Sequence, residues 1–182
     1  SVPSGGTTVT ADTVASAIEQ VSDAESLYGD LGKTVTVSVD GDGATFEPDA
    51  LKAVADSGAG MTVEFGTGSI AITGEVMGNM SSGQSDVSLS MEPADESQMT
   101  SAQLEAVGDS PVFDLSAVSG GSTVHELGGE VRVSIPYILP EGVDADSVRV
   151  CYVDDDGTMH DMETSYEDGV VTFVTDHFSY FA

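Results

Sequence analysis

The stretch Gly169-Val170-Val171-Thr172-Phe173-Val174-Thr175-Asp176-His177-Phe178-Ser179-Tyr180-Phe181-Ala182 contains the pattern on which the fold depends. Residues 170–175 have the composition of a β-strand, and Phe178 and Tyr180 alternate again as strand residues after a polar corner. The stretch therefore predicts a strand that ends near residue 175, followed closely by a second strand.

Strands of the same short kind precede this stretch at regular intervals. They occupy residues 112–117, 130–136, 147–153 and 159–164. Short strands at such spacing are typical of a small sandwich of antiparallel sheets. We therefore predict a β-sandwich subdomain over residues 111–182.

The residues before position 111 have a mixed pattern. Residues 1–6 have the composition of a linker, and residues 7–110 alternate strand-like segments with amphipathic helices. The helical spacing of apolar residues predicts a first helix over residues 14–27, and Pro48 fits the first position of another. The predicted fold class is α+β and mostly β, with an amino-terminal α+β subdomain packed on the carboxy-terminal antiparallel β-sandwich.

The charge of the chain excludes some partners. Four Lys and Arg residues stand against thirty-two Asp and Glu residues, so the formal net charge is −28. Binding to nucleic acid or to an anionic membrane surface needs clustered cations, which this chain lacks. Such a charge favours solubility and attracts cations. The single cysteine, Cys151, cannot form a disulfide within the chain.

Four stretches of the second half carry a resemblance to a known family. They are VRVSIPY at 131–137, PEGVD at 140–144, VRVCYVDDDG at 148–157 and GVVTFVTDHFSYFA at 169–182. This pattern resembles a β-rich module that is repeated in secreted surface proteins of Gram-positive bacteria, including S-layer-associated proteins. Residues 46–55 and 61–65 look like the half that usually precedes it, whereas Cys151 stands where such modules tend to carry an aromatic residue.

The resemblance implies a location and a role. It implies an extracellular, non-catalytic building block, associated with the cell surface or cell wall, that lies between neighbouring modules of one long surface protein. Any host or cell-wall ligand remains open. Conventional catalysis has little support, because the chain has no nucleophile elbow, no phosphate-binding glycine loop followed by Lys, and no tryptophan.

One tripeptide, His177-Phe178-Ser179, suggests chemistry. It resembles the self-cleavage site of autoproteolytic β-sandwich modules in death-domain signalling proteins, and of a nuclear pore protein that cuts itself between Phe and Ser. Strain at this bond would let the Ser179 hydroxyl attack the Phe178 carbonyl while His177 accepts the proton. The alternative is structural: Phe178 and Tyr180 are strand residues and Ser179 faces solvent.

Acidic side chains between residues 154 and 163 suggest a cation site. Asp154, Asp156, Asp161 and Glu163 are candidate calcium ligands, because Ca²⁺ prefers several carboxylate oxygens. The spacing does not fit an EF-hand, since Gly157 falls at the fourth loop position. The three histidines are far apart in sequence, so zinc is not expected. No cofactor is expected other than possible Ca²⁺.

These observations leave three hypotheses. The first is a structural or adhesive module of a bacterial cell-surface protein. The second is a domain that cleaves itself once, between Phe178 and Ser179. The third is an adhesion domain stabilised by calcium.

Overall fold

The protein is described by a computed structural model, which covers residues 7–9, 34–39, 41, 43–56, 60–81, 85–124 and 126–182. The predicted linker at residues 1–6 and the predicted helix at residues 14–27 lie outside these residues. No helix in the part that the structure describes is long and apolar enough to cross a membrane.

The described chain is mostly β-structure with three α-helices. In chain order the elements are β1 (Thr7–Val9), β2 (Thr34–Ser38), β3 (Gly43–Phe46), α1 (Pro48–Asp56), β4 (Gly60–Glu64), β5 (Ser69–Ile72), α2 (Gly74–Ser81), β6 (Val87–Pro93), α3 (Ser101–Val107), β7 (Phe113–Ser119), β8 (Ser122–Thr123), β9 (Glu126–Pro136), a 3₁₀ helix (Ala145–Ser147), β10 (Cys151–Val153), β11 (Met159–Asp161), β12 (Thr164–Glu167), β13 (Val170–His177) and β14 (Tyr180–Phe181). The predicted fold class, α+β and mostly β, is confirmed.

The strands form two sheets. The first sheet has the order β1-β3-β6-β7-β14-β10-β11, with β8 paired to β7. The second sheet has the order β12-β13-β9-β5-β4-β2. Most pairs are antiparallel, but β1 pairs with β3 and β2 pairs with β4 in parallel.

Each sheet takes strands from both sides of residue 110, the predicted division between subdomains. In the first sheet β6 pairs with β7 over seven residue pairs, from Val87–Ser119 to Pro93–Phe113. In the second sheet β5 pairs with β9, from Ser69–Ser134 to Ile72–Val131. Backbone hydrogen bonds within both sheets therefore join the two predicted subdomains.

One main apolar core contains side chains from both sheets and from α1 and α2. Its largest fully buried members include Phe46, Phe173, Phe181, Leu51 and Leu89. A smaller cluster of Met99, Val107 and Val153 lies beside α3. Burial of this apolar surface is the main free energy that stabilises the fold.

Local sequence signals start two of the helices. Pro48 is the first residue of α1, as predicted from its fixed φ. Thr100 caps α3: its hydroxyl accepts from the Gln103 N–H, and the Gln103 side chain accepts from the Thr100 N–H. These two reciprocal bonds form a capping box, which the Thr-x-x-Gln pattern of residues 100–103 favours.

Candidate functional site

The His177-Phe178-Ser179 tripeptide lies where the chain passes from one sheet to the other. Strand β13 ends at His177 in the second sheet, and β14 begins at Tyr180 in the first sheet. Phe178 is 3% exposed and packs into the main core. The Leu115 N–H donates to the Ser179 carbonyl at 3.1 Å. As predicted, the bond between Phe178 and Ser179 links two strands.

His177 is paired with its neighbour Asp176. The His177 Nδ1 lies 2.8 Å from Asp176 Oδ1, and this hydrogen bond lowers the pKa of Asp176. Because an ionised carboxylate only accepts, Nδ1 carries the hydrogen of this bond. Nε2 is buried and has no hydrogen-bond partner among the described residues. A carboxylate that orients a histidine in this way is part of many nucleophilic sites.

Buried Thr175 holds the backbone next to His177. Its side chain is 2% exposed, and its hydroxyl donates to the His177 carbonyl oxygen at 2.8 Å. The pairing of β13 with β9 shifts register between Thr175 and His177. The local irregularity turns the chain out of the second sheet.

Tyr152 lies between two histidine rings. Its ring stacks on His160 with centroids 5.4 Å apart and meets the edge of His177 at 4.6 Å. Burial raises the pKa of Tyr152, and the charges of the nearby aspartates raise it further, whereas a hydrogen bond with the Ser179 side chain opposes these effects. The Tyr152 hydroxyl therefore lies near the Ser179 side chain.

The geometry is not that of a poised cleavage site. Among the described residues, the His177 ring nitrogens hydrogen-bond only with Asp176 and Thr175, so His177 is not bonded to the Ser179 hydroxyl. Asp168 is the one non-glycine residue with a positive φ in the described part of the chain. The strain that the self-cleavage hypothesis expects at this bond is therefore not present as a left-handed backbone conformation.

The residues 154–157, here called the acidic turn, join β10 to β11. The Asp156 N–H donates to Asp154 Oδ1 at 3.4 Å, and the Thr158 N–H donates to Asp156 Oδ1 at 2.9 Å. Asp154 Oδ2 also lies 3.7 Å from His160 Nε2. These two carboxylates therefore support the hairpin turn itself.

The other two candidate calcium ligands lie elsewhere. Asp161 ends β11, where it lies 3.4 Å from Arg149 Nη1 and accepts from the Cys151 thiol at 3.2 Å. Burial raises the pKa of Cys151, and the Asp161 interaction raises it further. Glu163 lies in the link between β11 and β12. Within the described ranges, no three His, Cys, Asp or Glu side chains are grouped to hold a metal ion. A calcium site stays a prediction.

The acidic turn docks on the first turn of α3. The Thr100 hydroxyl donates to the Asp155 carbonyl at 3.0 Å. Gly157 has a φ of +83°, and a Cβ at this position would lie 2.5 Å from the Ala102 carbonyl oxygen. Only glycine satisfies both the conformation and the close approach.

An apolar cavity of about 250 Å³ lies beside Phe181, the last residue of β14. Phe113, Ile135, Tyr137, Phe173 and Phe181 are among its lining residues. The cavity could not be predicted from the sequence, because its lining comes from segments spread over residues 110–182.

No protein-family model matches this chain, and no curated protein matches it significantly.

Proposed function

We propose that this chain is a non-catalytic structural or adhesive module of a secreted cell-surface protein, in which it spaces neighbouring modules. The observation that carries the proposal is the interleaving of strands: both sheets use strands from both sides of residue 110 around one main core. A unit built in this way transmits load between its two halves through backbone hydrogen bonds. Such a property suits a spacer.

The distribution of polar groups supports the same proposal. Only two polar side chains are buried in the described residues, Gln103 and Thr175, and both bond to nearby backbone. No acidic side chain in the described ranges is buried in the apolar core, and the excess of Asp and Glu over Lys and Arg favours a hydrated surface that attracts cations. The resemblance of the second half to surface modules points to the same location.

Protease shaving of intact native cells tests the location. A protease that cuts after Asp and Glu is suitable, because the chain offers only four sites for trypsin. We expect peptides of this protein in the supernatant while a cytosolic marker protein stays inside. Peptides that appear only after lysis would contradict the proposal.

Single-molecule stretching tests the spacer role. The chain would be pulled from its two ends between reference domains of known unfolding force. Because the sheets join both halves, we expect one unfolding event for the whole unit. Separate events for residues before and after 110 would contradict a single load-bearing module.

Self-cleavage is a second candidate, favoured by the Asp176–His177 pair next to the Phe178–Ser179 bond. In the step, the Ser179 oxygen attacks the Phe178 carbonyl carbon and the C–N bond breaks. An ester forms, and the hydroxyl proton passes through His177 to the new Ser179 amino group. Water then hydrolyses the ester, which leaves a Phe178 carboxylate and a free Ser179 hydroxyl. The ring of His177 must first turn toward Ser179.

Intact mass under denaturing conditions, after long incubation at neutral pH, tests this candidate. A species that ends at Phe178 supports it, and Ser179→Ala should then abolish that species. Tyr152→Phe is an informative second variant, because it removes the hydroxyl near the Ser179 side chain. A single uncut mass for both the natural chain and Tyr152→Phe would remove the candidate.

A further inference from the structure

Asn79 is the only asparagine in the chain, and it begins the triplet Asn79-Met80-Ser81. This triplet is the acceptor motif for N-linked glycosylation, Asn-x-Ser with x other than proline. Ser and Thr make up 39 of the 182 residues, so a single asparagine meets the motif by chance about once in five. The inference therefore depends on where the structure places Asn79.

Asn79 lies on the outer face of α2, two residues before the helix ends. Val76, Met77 and Met80 of the same helix are buried in the main core. Glu75, Gly78 and Asn79 are exposed on the opposite side. A large hydrophilic group on this side chain would extend away from the core.

The side chain of Asn79 is held at the surface by β9. Its Nδ2 donates to the Gly128 carbonyl oxygen at 3.2 Å. Gly128 has a φ of +71°, and a Cβ there would lie 2.7 Å from Asn79 Nδ2, so the contact requires glycine. A glycosylated amide nitrogen keeps one N–H. The hydrogen bond to Gly128 is therefore compatible with a sugar on the same nitrogen.

We propose that Asn79 carries an N-linked glycan, which rests on the proposed function because glycan transfer to this motif occurs during secretion. The donor is a lipid-linked oligosaccharide phosphate, and a membrane oligosaccharyltransferase acts on the chain. A bond forms between Nδ2 and the anomeric carbon of the first sugar, and the bond from that carbon to the lipid phosphate oxygen breaks. Nδ2 loses one proton, and the lipid phosphate leaves.

The glycan has a physical role that the acidic side chains do not supply. The net charge of −28 makes copies of the protein repel each other. Salt screens this repulsion, which extends over only about 10 Å at 0.1 M ionic strength. A neutral glycan occupies volume and binds water at any salt concentration. It protects the α2 surface from proteases and from neighbouring copies when charge repulsion is screened.

Mass spectrometry of the full protein from its native cells tests the proposal. Cleavage after Glu75 and Asp86 releases the peptide 76–86, which contains Asn79 as its sole acceptor. We expect this peptide to carry added hexose or N-acetylhexosamine masses. The same peptide found only at its unmodified mass would overturn the proposal.

Variants of the motif separate modification from a structural role of Asn79. Ser81→Ala keeps the Asn79 side chain and its bond to Gly128, yet it should abolish the added mass completely. Ser81→Thr keeps the motif and should retain the mass, and Asn79→Gln should lose it. An added mass that survives Ser81→Ala would show that the glycan is not attached through this motif, which overturns the assignment.

The failures of this proposal and of the proposed function are distinguishable. If shaving of intact cells releases peptide 76–86 in unmodified form, the module is at the surface but Asn79 is not glycosylated. If the peptide appears only after lysis, the proposed location is wrong and the glycan proposal falls with it.

Discussion

Replacing Gly157 with alanine tests the docking of the acidic turn on α3. At this position the φ of +83° disfavours an L-residue, and the new Cβ would lie 2.5 Å from the Ala102 carbonyl oxygen. Gly169 provides a matched control, because its φ is +81° and a Cβ there has no atom within 4 Å. Both substitutions carry a similar conformational cost, but only Gly157→Ala also places a carbon against Ala102.

The expected losses of unfolding free energy follow from the conformational cost and the contact. Alanine in a left-handed conformation costs about 1–2 kcal/mol, which is the whole effect expected for Gly169→Ala. Forcing an extra carbon against packed backbone costs about 1–3 kcal/mol more. Gly157→Ala should therefore lower the free energy of unfolding by about 2–5 kcal/mol. The smaller unfolded-state entropy of alanine is common to both variants and cancels in the difference.

Urea unfolding at constant salt, monitored by circular dichroism, measures the loss of unfolding free energy for each variant. We expect Gly157→Ala to have the lower midpoint with an unchanged slope, since the native surface is otherwise the same. Equal losses for Gly157→Ala and Gly169→Ala would refute the reasoning, because the turn would then not be in close contact with Ala102.

Three further predictions concern the core, a half-buried carboxylate and the acidic turn. Phe181→Ala should lower the free energy of unfolding by about 3–5 kcal/mol, because this fully buried ring packs 5.0 Å from Phe173; a loss below about 1 kcal/mol in urea unfolding would contradict it. Burial raises the pKa of Asp114 above 3.8, so its ionisation disfavours the folded state as pH rises through the raised value. Asp114→Asn should therefore melt higher than the natural chain at pH 7 and lose this advantage at pH 3; equal melting temperatures at pH 7 would count against it. The calcium hypothesis for Asp154, Asp156, Asp161 and Glu163 predicts that a chelator at matched ionic strength lowers the melting temperature, and an unchanged melting temperature would contradict it.

The elements that follow local rules could be predicted from the sequence. The strand over residues 34–38 alternates valine with polar residues, and α1 and α3 begin at a proline and at a capping box. In each case the residues that decide the structure lie only a few positions apart in the sequence. The polar corner before β14 was predictable for the same reason.

Helix α2 was missed because its residues oppose helix formation when considered alone. Gly74, Gly78 and Asn79 have poor helix propensity. Burial of Val76 and Met77 in the core stabilises the helix, and this depends on packing that the local sequence does not contain.

The strand predicted over residues 147–153 was partly wrong. Residues 145–147 form a 3₁₀ helix, since the Asp144 side chain accepts from the Asp146 N–H at 3.2 Å and caps it. The strand is limited to Cys151–Val153. The strand predicted over residues 159–164 is also divided: β11 pairs in the first sheet and β12 in the second.

The candidate cleavage site could also be predicted only in part. The position of the tripeptide between two strands followed from its own sequence. The contact of Tyr152 with the His177 ring could not be predicted, because the pairing of β10 with β14 brings Tyr152 to this corner. The environment of the tripeptide depends on such long-range pairs.

The central position of β14 has a consequence for the order of folding. Its two residues pair with β7 on one side and with β10 on the other, and they follow every other strand of this sheet in chain order. The first sheet cannot close until Tyr180 and Phe181 have emerged, and contacts between distant segments form slowly. Before that point the sheet lacks the strand that joins β7 to β10. A strand of two residues therefore decides when the first sheet becomes continuous.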